Sequence, residues 1–331
     1  MAVITGLGLY LPSGRISAGE IAAASGLPEW VVTGKLGIES KPVPGPDDHP
    51  AEMAVRAARN ALSAAGVAPA DVDVVLSMTE EHKEYPVWTA GPYIAEAVGA
   101  SRAWAFDANQ KCGSFILALS LARALLRDQP GIRHVLIAGG YRNGDLIDLA
   151  DADVRFMYDL GAGAGAAVVS REGDGLEVLS TRFITDGTLA RAVLVPVGGT
   201  KRPLTGSNHH EYRLRVVDRG LLKSRLEEVS LANFLAVIRG ALEDARKSVD
   251  EVSYLALLHM KRSAHEAVLK CLGLAPERST YLSRYGHLGQ VDQILSLDLA
   301  VKEGRLHRGQ LAVLAAAGVG YVWNAAVVQW T

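Results

Sequence analysis

The pattern that most constrains the fold is an alternation of short apolar runs with amphipathic stretches, present in both halves of the chain. Runs of β-branched or small residues bounded by Gly, Pro or Asp predict buried strands, and apolar residues three and four positions apart predict helices. In the first half the strands fall at 3–11, 72–78, 103–107, 134–139 and 164–169, and the clearest helices at about 50–65 and 113–127. Strand and helix alternate, which indicates an α/β fold.

The second half repeats this layout. Strands are predicted at 176–183, 254–259, 310–316 and 322–330, and helices at 231–247, from 264 and after 289. Two similar layouts in 331 residues indicate an internal duplication and fit two domains of ordinary size. The turn signals within 170–177 place the boundary there. We predict a half at 1–172 and a half at 173–331, packed closely with a cleft between them.

Charge and cysteine content exclude several functional classes. The formal net charge is −2 with both signs interspersed, so the chain is not expected to bind nucleic acid or a membrane surface. No basic, apolar leader and no run of about 18 apolar residues is present. Cys112 and Cys271 lie far apart and imply neither a disulfide framework nor a metal site. We expect a cytoplasmic protein, without a metal or permanently bound cofactor, that acts on small molecules or small carriers.

Cys112 is the candidate nucleophile. The segment AFDANQKCGSFILALSLARALL places it between a short strand and a helix that begins near Gly113. At a helix N-terminus the free N–H groups and the dipole stabilise a thiolate, so we expect the Cys112 pKa to fall from about 8.5 towards 7. The alternative is that Cys112 is a small buried apolar residue. That second interpretation is the one we apply to Cys271, on the helix face VLKCLGL.

Two histidines are candidate bases. His259 ends the run YLALLH, so it should lie at the carboxyl end of a strand, where α/β folds place catalytic groups. His287 follows Gly286 just before a helix, and Asp292 comes five residues later. Spacing alone does not select these two from nine histidines, because most histidines are surface or capping residues.

Motifs along the whole chain resemble those of ketoacyl synthase III, the chain-initiating condensing enzyme. They are TGLGLYLPSGRIS, PEWVVTGKLGIESK, AFDANQKCGSFILAL, GAGAGAAVVS and GVGYVWNAAVVQW, in the order of that family. The resemblance implies the thiolase fold, in which two βαβ-rich halves form five layers, αβαβα, usually as a homodimer. Its substrates are thioesters of coenzyme A or of the phosphopantetheine of an acyl carrier protein, together with an acceptor.

The resemblance also assigns roles. Cys112 falls on the acyl-accepting nucleophile and His259 on the histidine of a His-Gln-Ala-Asn motif, here HMKR. His287 stands where the family has asparagine, in a Gly-His turn similar to that of elongating ketosynthases and thiolases. Gly-His followed by Asp292 resembles a divergent branch of aromatic polyketide and antibiotic pathways, where the carboxylate would orient the imidazole. The alternative for Asp292 is a helix cap.

Further residues follow from the same resemblance. The oxyanion would be held by the amides of Cys112 and of Val319 or its neighbour Gly320. Trp30 resembles the aromatic residue that stacks on adenine, and Lys35 lies near the family's phosphate-binding arginine. Lys261 and Arg262 would suit a diphosphate or acidic carrier, unless they are a solvated basic pair. Tyr85 matches the residue that closes the partner subunit's acyl pocket.

Three functions follow as hypotheses. The first is an acyltransferase of specialised metabolism that loads Cys112 and condenses the acyl group with a malonyl thioester, with loss of carbon dioxide. The second transfers the acyl group to a hydroxyl, amine or thiol without forming a carbon–carbon bond. The third is a non-catalytic partner of a condensing heterodimer, which the presence of Cys112 argues against. We favour condensation.

Overall fold

The computed structural model describes residues 1–331 and contains thirteen strands and seven α-helices. The strands are β1 Val3–Tyr10, β2 Arg15–Ser17, β3 Ser40–Pro42, β4 Val74–Ser77, β5 Trp104–Asp107, β6 His134–Tyr141, β7 Gly163–Ser170, β8 Leu176–Thr185, β9 Val193–Leu194, β10 Arg215–Val216, β11 Val252–Leu257, β12 Leu311–Gly318 and β13 Val322–Trp330. The helices are α1 Ala18–Ser25, α2 Pro50–Ala65, α3 Ala90–Val98, α4 Ser114–Asp128, α5 Arg219–Asp244, α6 Arg262–Leu272 and α7 Asp292–Lys302.

Nine strands form one continuous sheet in the order β11-β12-β13-β8-β1-β7-β6-β4-β5. The first-half strands β5, β4 and β6 run parallel, and β7 and β1 follow antiparallel. In the second half β8, β13 and β12 are antiparallel and β11 is parallel to β12. Antiparallel pairing of β1 with β8 joins the halves, and the turn at 171–175 separates β7 from β8. The division into 1–172 and 173–331 stays a prediction.

The core is arranged in five layers, as predicted. Helices α2 and α3 cover the outer face of the first half, α4 and α7 lie between the halves, and α5 and α6 cover the outer face of the second half. Side chains that alternate along β12 fill two of these interfaces: Ala312 and Leu314 face the central helices, whereas Val313 faces the outer ones. The predicted α/β class and αβαβα order are confirmed.

Small residues let α2 pack tightly on the sheet. Pro50 occupies its first turn, where no intrahelical N–H is needed, and Gly66 ends it in the left-handed conformation. A Cβ on Gly8 of β1 would lie 2.1 Å from the carbonyl oxygen of Ala57. The alanine-rich face of α2 therefore sits directly against the strand backbone.

One helix boundary was predicted wrongly. A helix was expected to begin at 231, but α5 begins at Arg219, where the Asp218 side chain accepts a hydrogen bond from the N–H of Leu221 at 2.8 Å. The first turns of α5 are exposed and rich in charge, so they carry little apolar periodicity. No helix combines the length and apolar character needed to cross a membrane.

Candidate active site

Cys112 lies in a tight turn between the end of β5 and the start of α4. The Ser114 hydroxyl closes this turn: it accepts from the N–H of Gln110 at 2.7 Å and donates to the carbonyl of Lys111 at 2.6 Å. Asn324 of β13 donates to the Gly113 carbonyl at 3.0 Å. The Cys112 thiol is therefore held by both halves of the molecule, at the place where the sequence predicted the turn.

His287 joins Cys112 to Asp292. The Nε2 atom of His287 lies 3.0 Å from the Cys112 Sγ, and its Nδ1 lies 2.6 Å from Asp292 Oδ2. Because a carboxylate only accepts, Nδ1 carries the proton and Nε2 is left to take the thiol proton. The three side chains form a linear arrangement of nucleophile, base and orienting carboxylate.

Asp292, the first residue of α7, is also fixed by backbone groups. Its Oδ1 accepts from the N–H of Leu288 at 2.7 Å, and its Oδ2 accepts from the N–H of His259 at 2.7 Å. His287 is held as well, because its N–H donates to the Asp159 carbonyl at 2.9 Å and its carbonyl accepts from Gly161 at 3.0 Å. The imidazole is therefore preorganised on a buried segment.

The expected fall in the Cys112 pKa is wrong for this structure. Burial raises the pKa of the Cys112 thiol, and the neighbouring His287 only partly offsets it. Burial also acts to lower the pKa of His287, but Asp292 and Cys112 hold that pKa well above its usual value. His287, 3.0 Å from the thiol, is therefore placed to accept its proton.

His259 lies two residues beyond β11, at the carboxyl end as predicted, but it does not bond to Cys112. Its Nδ1 lies 2.7 Å from Asp159 Oδ2 and its Nε2 lies 3.4 Å from the Gly37 carbonyl oxygen. The side chain is fully buried. Both ring nitrogens thus face oxygen acceptors in a second histidine–aspartate pair.

Sequence reasoning missed Asp159 and the buried Lys41 beside it. Lys41 donates to the carbonyls of Tyr158 and Leu160 at 2.6 and 2.7 Å, and burial lowers its pKa to about 8, although the charge of Asp159 opposes this. Asp159 is the one acidic residue between Phe156 and Val169, in a stretch that otherwise reads as core. That isolated charge was the available signal.

The glycine loop after β12 lies against the nucleophile turn. A Cβ on Gly318 would be 3.4 Å from the Cys112 N atom and 2.5 Å from the Gln110 carbonyl oxygen. The amides of Cys112, Val319 and Gly320 make no hydrogen bond within the protein. Free N–H groups beside the thiol are what an oxyanion needs, although their role stays a prediction.

The predicted thioester-binding residues lie at the surface. Trp30 is 62% exposed, and the Lys35 ammonium lies 5.2 Å from its ring centroid on the π-helix Val31–Leu36. This segment packs against α6, where Lys261 precedes the helix and the Arg262 guanidinium lies 4.2 Å from the centroid of the Tyr281 ring. The structure therefore brings the four predicted residues to one face.

Tyr85 lies apart from this face, on the loop between β4 and α3. It is 64% exposed and packs edge-on against Trp88. Its predicted contact with a partner subunit stays a prediction. No group of three or more His, Cys, Asp or Glu side chains is arranged to hold a metal.

Comparisons with known proteins find relatives that match along this chain. The model of the 3-oxoacyl-[acyl-carrier-protein (ACP)] synthase III family matches residues 106–187, and the model of its C-terminal part matches 242–330. The β-ketoacyl-[acyl-carrier-protein] synthase III of Sphingopyxis alaskensis is 31% identical over 99% of this chain and 98% of its own length.

Two solved structures show the same architecture. The 3-oxoacyl-[acyl-carrier-protein] synthase III from Aquifex aeolicus VF5 superposes with a TM-score of 0.84 at 24% identity and covers 100% of both chains. The priming β-ketosynthase from the R1128 polyketide biosynthetic pathway superposes with a TM-score of 0.83 at 27% identity, covering 99% of this chain and 96% of that one.

Proposed function

This chain belongs to the 3-oxoacyl-[acyl-carrier-protein] synthase III family, and we propose, from the geometry of its site, that it loads an acyl group on Cys112 and passes it to a hydroxyl, amine or thiol acceptor. The predicted family is thus confirmed, and with it the acyltransferase class. The acceptor type departs from the condensation favoured on sequence alone.

One observation carries the choice of acceptor. His287, oriented by Asp292, contacts the Cys112 thiol, whereas the Nδ1 of His259 donates to Asp159 and its Nε2 lies 3.4 Å from the Gly37 carbonyl oxygen, with no hydrogen bond to the thiol. Decarboxylation of a malonyl thioester requires hydrogen-bond donors on a second carbonyl, in addition to the group that activates the thiol. A single triad with one free base supports proton removal from a heteroatom instead.

The first half-reaction loads the enzyme. His287 Nε2 takes the Cys112 proton as Sγ attacks the thioester carbonyl, and the oxyanion lies at the free amides of Cys112 and Val319 or Gly320. The carbon–sulfur bond to coenzyme A or to the phosphopantetheine of a carrier protein breaks, and His287 returns the proton to the departing thiol. Asp292 stabilises the imidazolium in between.

The second half-reaction uses the same groups. His287 removes a proton from the acceptor hydroxyl, amine or thiol, which attacks the Cys112 thioester. The bond to Sγ breaks and the proton on His287 restores the thiol. The product is an ester, an amide or a new thioester, with no carbon dioxide released.

The thioester donor is proposed to bind at the exposed face that carries the predicted basic and aromatic residues. Trp30, Lys35, Lys261 and Arg262 suit the adenine and phosphates of coenzyme A or an acidic carrier, and the proposal includes both donors. The predicted homodimer also belongs to the proposal, supported by the exposed Tyr85.

Condensation is the second candidate, because the Sphingopyxis relative is named as a β-ketoacyl synthase III. The proposed place in specialised metabolism is supported by the Gly-His–Asp292 arrangement and by the likeness to the R1128 priming ketosynthase. The contact between Cys112 and His287 supports a catalytic chain over the alternative of a non-catalytic partner subunit.

Intact mass after incubation with a panel of acyl-CoAs tests the proposal, with Cys112→Ala as the control. We expect an adduct on wild type and none on the variant. Acceptors with hydroxyl, amine or thiol groups should then discharge the adduct, while malonyl-CoA or a malonyl carrier should leave it in place. Discharge by a malonyl donor with release of carbon dioxide would establish condensation, and absence of any adduct would refute both.

A further inference from the structure

Glu80 is a buried carboxyl that the proposed reaction leaves unused. It follows β4, is 3% exposed, and its Oε2 accepts from the Nδ2 of Asn143 at 2.8 Å. Its Oε1 is buried without any hydrogen-bond partner, and so is the Oδ1 of Asn143. Burying an unpaired carboxyl oxygen costs free energy, so this arrangement needs a reason.

The topology brings Glu80 to the nucleophile. Strands β5 and β6 are the two parallel neighbours of β4, so their carboxyl ends lie on either side of it. The end of β5 leads to the Cys112 turn and the end of β6 leads to Asn143. The electrostatics is consistent with this proximity. The charge of Glu80 helps raise the pKa of Cys112. Burial raises the pKa of Glu80 itself, and His287 acts to lower it.

A purely structural carboxyl would be bonded differently. Asp107 shows the contrast, since its two oxygens accept from the backbone N–H groups of Gly91 and Ala90 at 2.7 and 3.0 Å. The charge of Lys111 acts to lower the pKa of Glu80, but the Lys111 ammonium pairs with Glu81 and makes no hydrogen bond to Glu80. Glu80 therefore keeps one buried acceptor oxygen unpaired, at the strand ends that lead to the nucleophile turn.

We propose that Glu80 binds the acceptor substrate: its Oε1 receives a hydrogen bond from a second donor group of the acceptor, a hydroxyl or an ammonium, placed near the atom that attacks the acyl group on Cys112. This inference rests on the proposed acyl transfer to a heteroatom. It adds an acceptor class, namely molecules that carry a second hydrogen-bond donor close to the reacting one. A site built to bond a donor rejects analogues that lack it, because the buried oxygen would stay unpaired.

The test uses three acceptors of equal size: ethylene glycol, ethanolamine and n-propanol, which place a hydroxyl, an ammonium or a methyl two carbons from the reacting hydroxyl. Wild type, Glu80→Gln and Glu80→Ala are first loaded on Cys112 from an acyl-CoA and freed of excess donor. The second-order rate constant for discharge by each probe is then measured by intact mass, after subtraction of hydrolysis.

We expect wild type to discharge to ethylene glycol or ethanolamine at least about ten-fold faster than to n-propanol. Glu80→Ala should reduce that preference to within about three-fold. Glu80→Gln keeps an acceptor oxygen without the charge, so it should preserve a preference for the glycol but lose a preference for ethanolamine. The control Glu172→Gln removes an exposed charge from the turn between β7 and β8 and should keep the wild-type pattern.

Other outcomes overturn one proposal or both. If n-propanol discharges wild type as fast as the other probes, or the preference survives in Glu80→Ala, the role of Glu80 is wrong while acyl transfer stands. If none of the probes discharges the adduct but malonyl-CoA does, with carbon dioxide released, acyl transfer fails and Glu80 has no such acceptor.

A substrate-free measurement tests the placement of Glu80 even where binding of small probes is weak. In a Cys271→Ala background Cys112 is the sole thiol. Because the charge of Glu80 raises the Cys112 pKa, Glu80→Gln should shift the pH profile of iodoacetamide alkylation to lower pH. A profile identical to that of the Glu172→Gln control would place Glu80 away from the thiol and overturn the inference.

Discussion

Two histidine–aspartate pairs lie side by side in this protein, and they differ in what they can do. His287 and Asp292 are five residues apart in the chain and end on the Cys112 thiol. His259 and Asp159 are 100 residues apart and end on a backbone carbonyl. The His287–Asp292 pair contacts the nucleophile, whereas the His259–Asp159 pair is buried and makes no hydrogen bond to it.

The pairs are connected through one atom. Asp292 Oδ2 accepts from the backbone N–H of His259 as well as lying against His287. Locking the His259 side chain between Asp159 and Gly37 therefore fixes a donor that orients Asp292. We infer that His259 and Asp159 act as positioning residues and that the chemistry belongs to His287 and Asp292.

The largest expected effect comes from His287→Ala compared with His259→Ala. Removing His287 eliminates the base, so discharge of the acyl-enzyme to an alcohol should fall by about ten-thousand-fold. His259→Ala disturbs only the orientation of Asp292 and should lower the rate by about ten-fold. Single-turnover rates measured by intact mass check both.

The exposed His307→Ala is the matched control and should behave as wild type. Equal losses in the two buried variants would break the comparison, because they would give both histidines a chemical role. That result would favour condensation.

Asp292→Asn should lower the same rate by about a thousand-fold. An amide has one acceptor oxygen where Asp292 uses two, so either Leu288 or His259 loses its partner, and the imidazole loses its charged neighbour. Because Asp292 acts to raise the pKa of His287, the alkaline limb of the His287 titration should move to lower pH in the variant. NMR of the imidazole measures this, and Asp298→Asn on the surface of α7 serves as control.

From the sequence alone both residues of the His287–Asp292 pair could be identified, but only His259 of the second pair. Cys112 lies at a strand-to-helix turn and His287 is near Asp292 in the chain, so local signals and family motifs found all three. Asp159 meets His259 only because the segment before β7 folds onto the end of β11, and no periodicity encodes that contact. The raised pKa of Cys112 was missed for the same reason, since burial is a property of the packed molecule.

Asp159→Asn should act on stability more than on the reaction. Burial alone raises the Asp159 pKa, but the hydrogen bond and charge of His259 hold it below its usual value. Replacing the carboxylate leaves Lys41 and His259 without a negative partner, which should lower the free energy of unfolding by about 2 kcal/mol. Urea denaturation at pH 7 measures the loss, and Asp298→Asn should show almost none.

The sign of the pH effect follows from the depressed pKa. The stabilisation by Asp159 is present above the pKa of an unfolded aspartate, about 4, and is lost as the pH falls through the folded value. The difference in stability between wild type and Asp159→Asn should therefore shrink as the pH falls below about 4. A difference that persists below that pH would contradict the proposed pairing.

The last effect concerns Lys41, the buried cation next to the His259–Asp159 pair, and appears only as a dependence of stability on pH. Its pKa falls from 10.5 to about 8 on folding, so between those values the unfolded chain binds more protons than the native protein does. Stability from this group therefore rises with pH across that window, by at most about 3 kcal/mol. Other groups, Cys112 among them, titrate nearby and act in the opposite direction. The test is therefore the difference in the free energy of unfolding between wild type and Lys41→Met, measured by urea denaturation from pH 7.5 to 10. The free energy of unfolding of wild type should rise relative to that of the variant as the pH rises. A constant difference would mean that Lys41 keeps its proton and forms a permanent ion pair with Asp159.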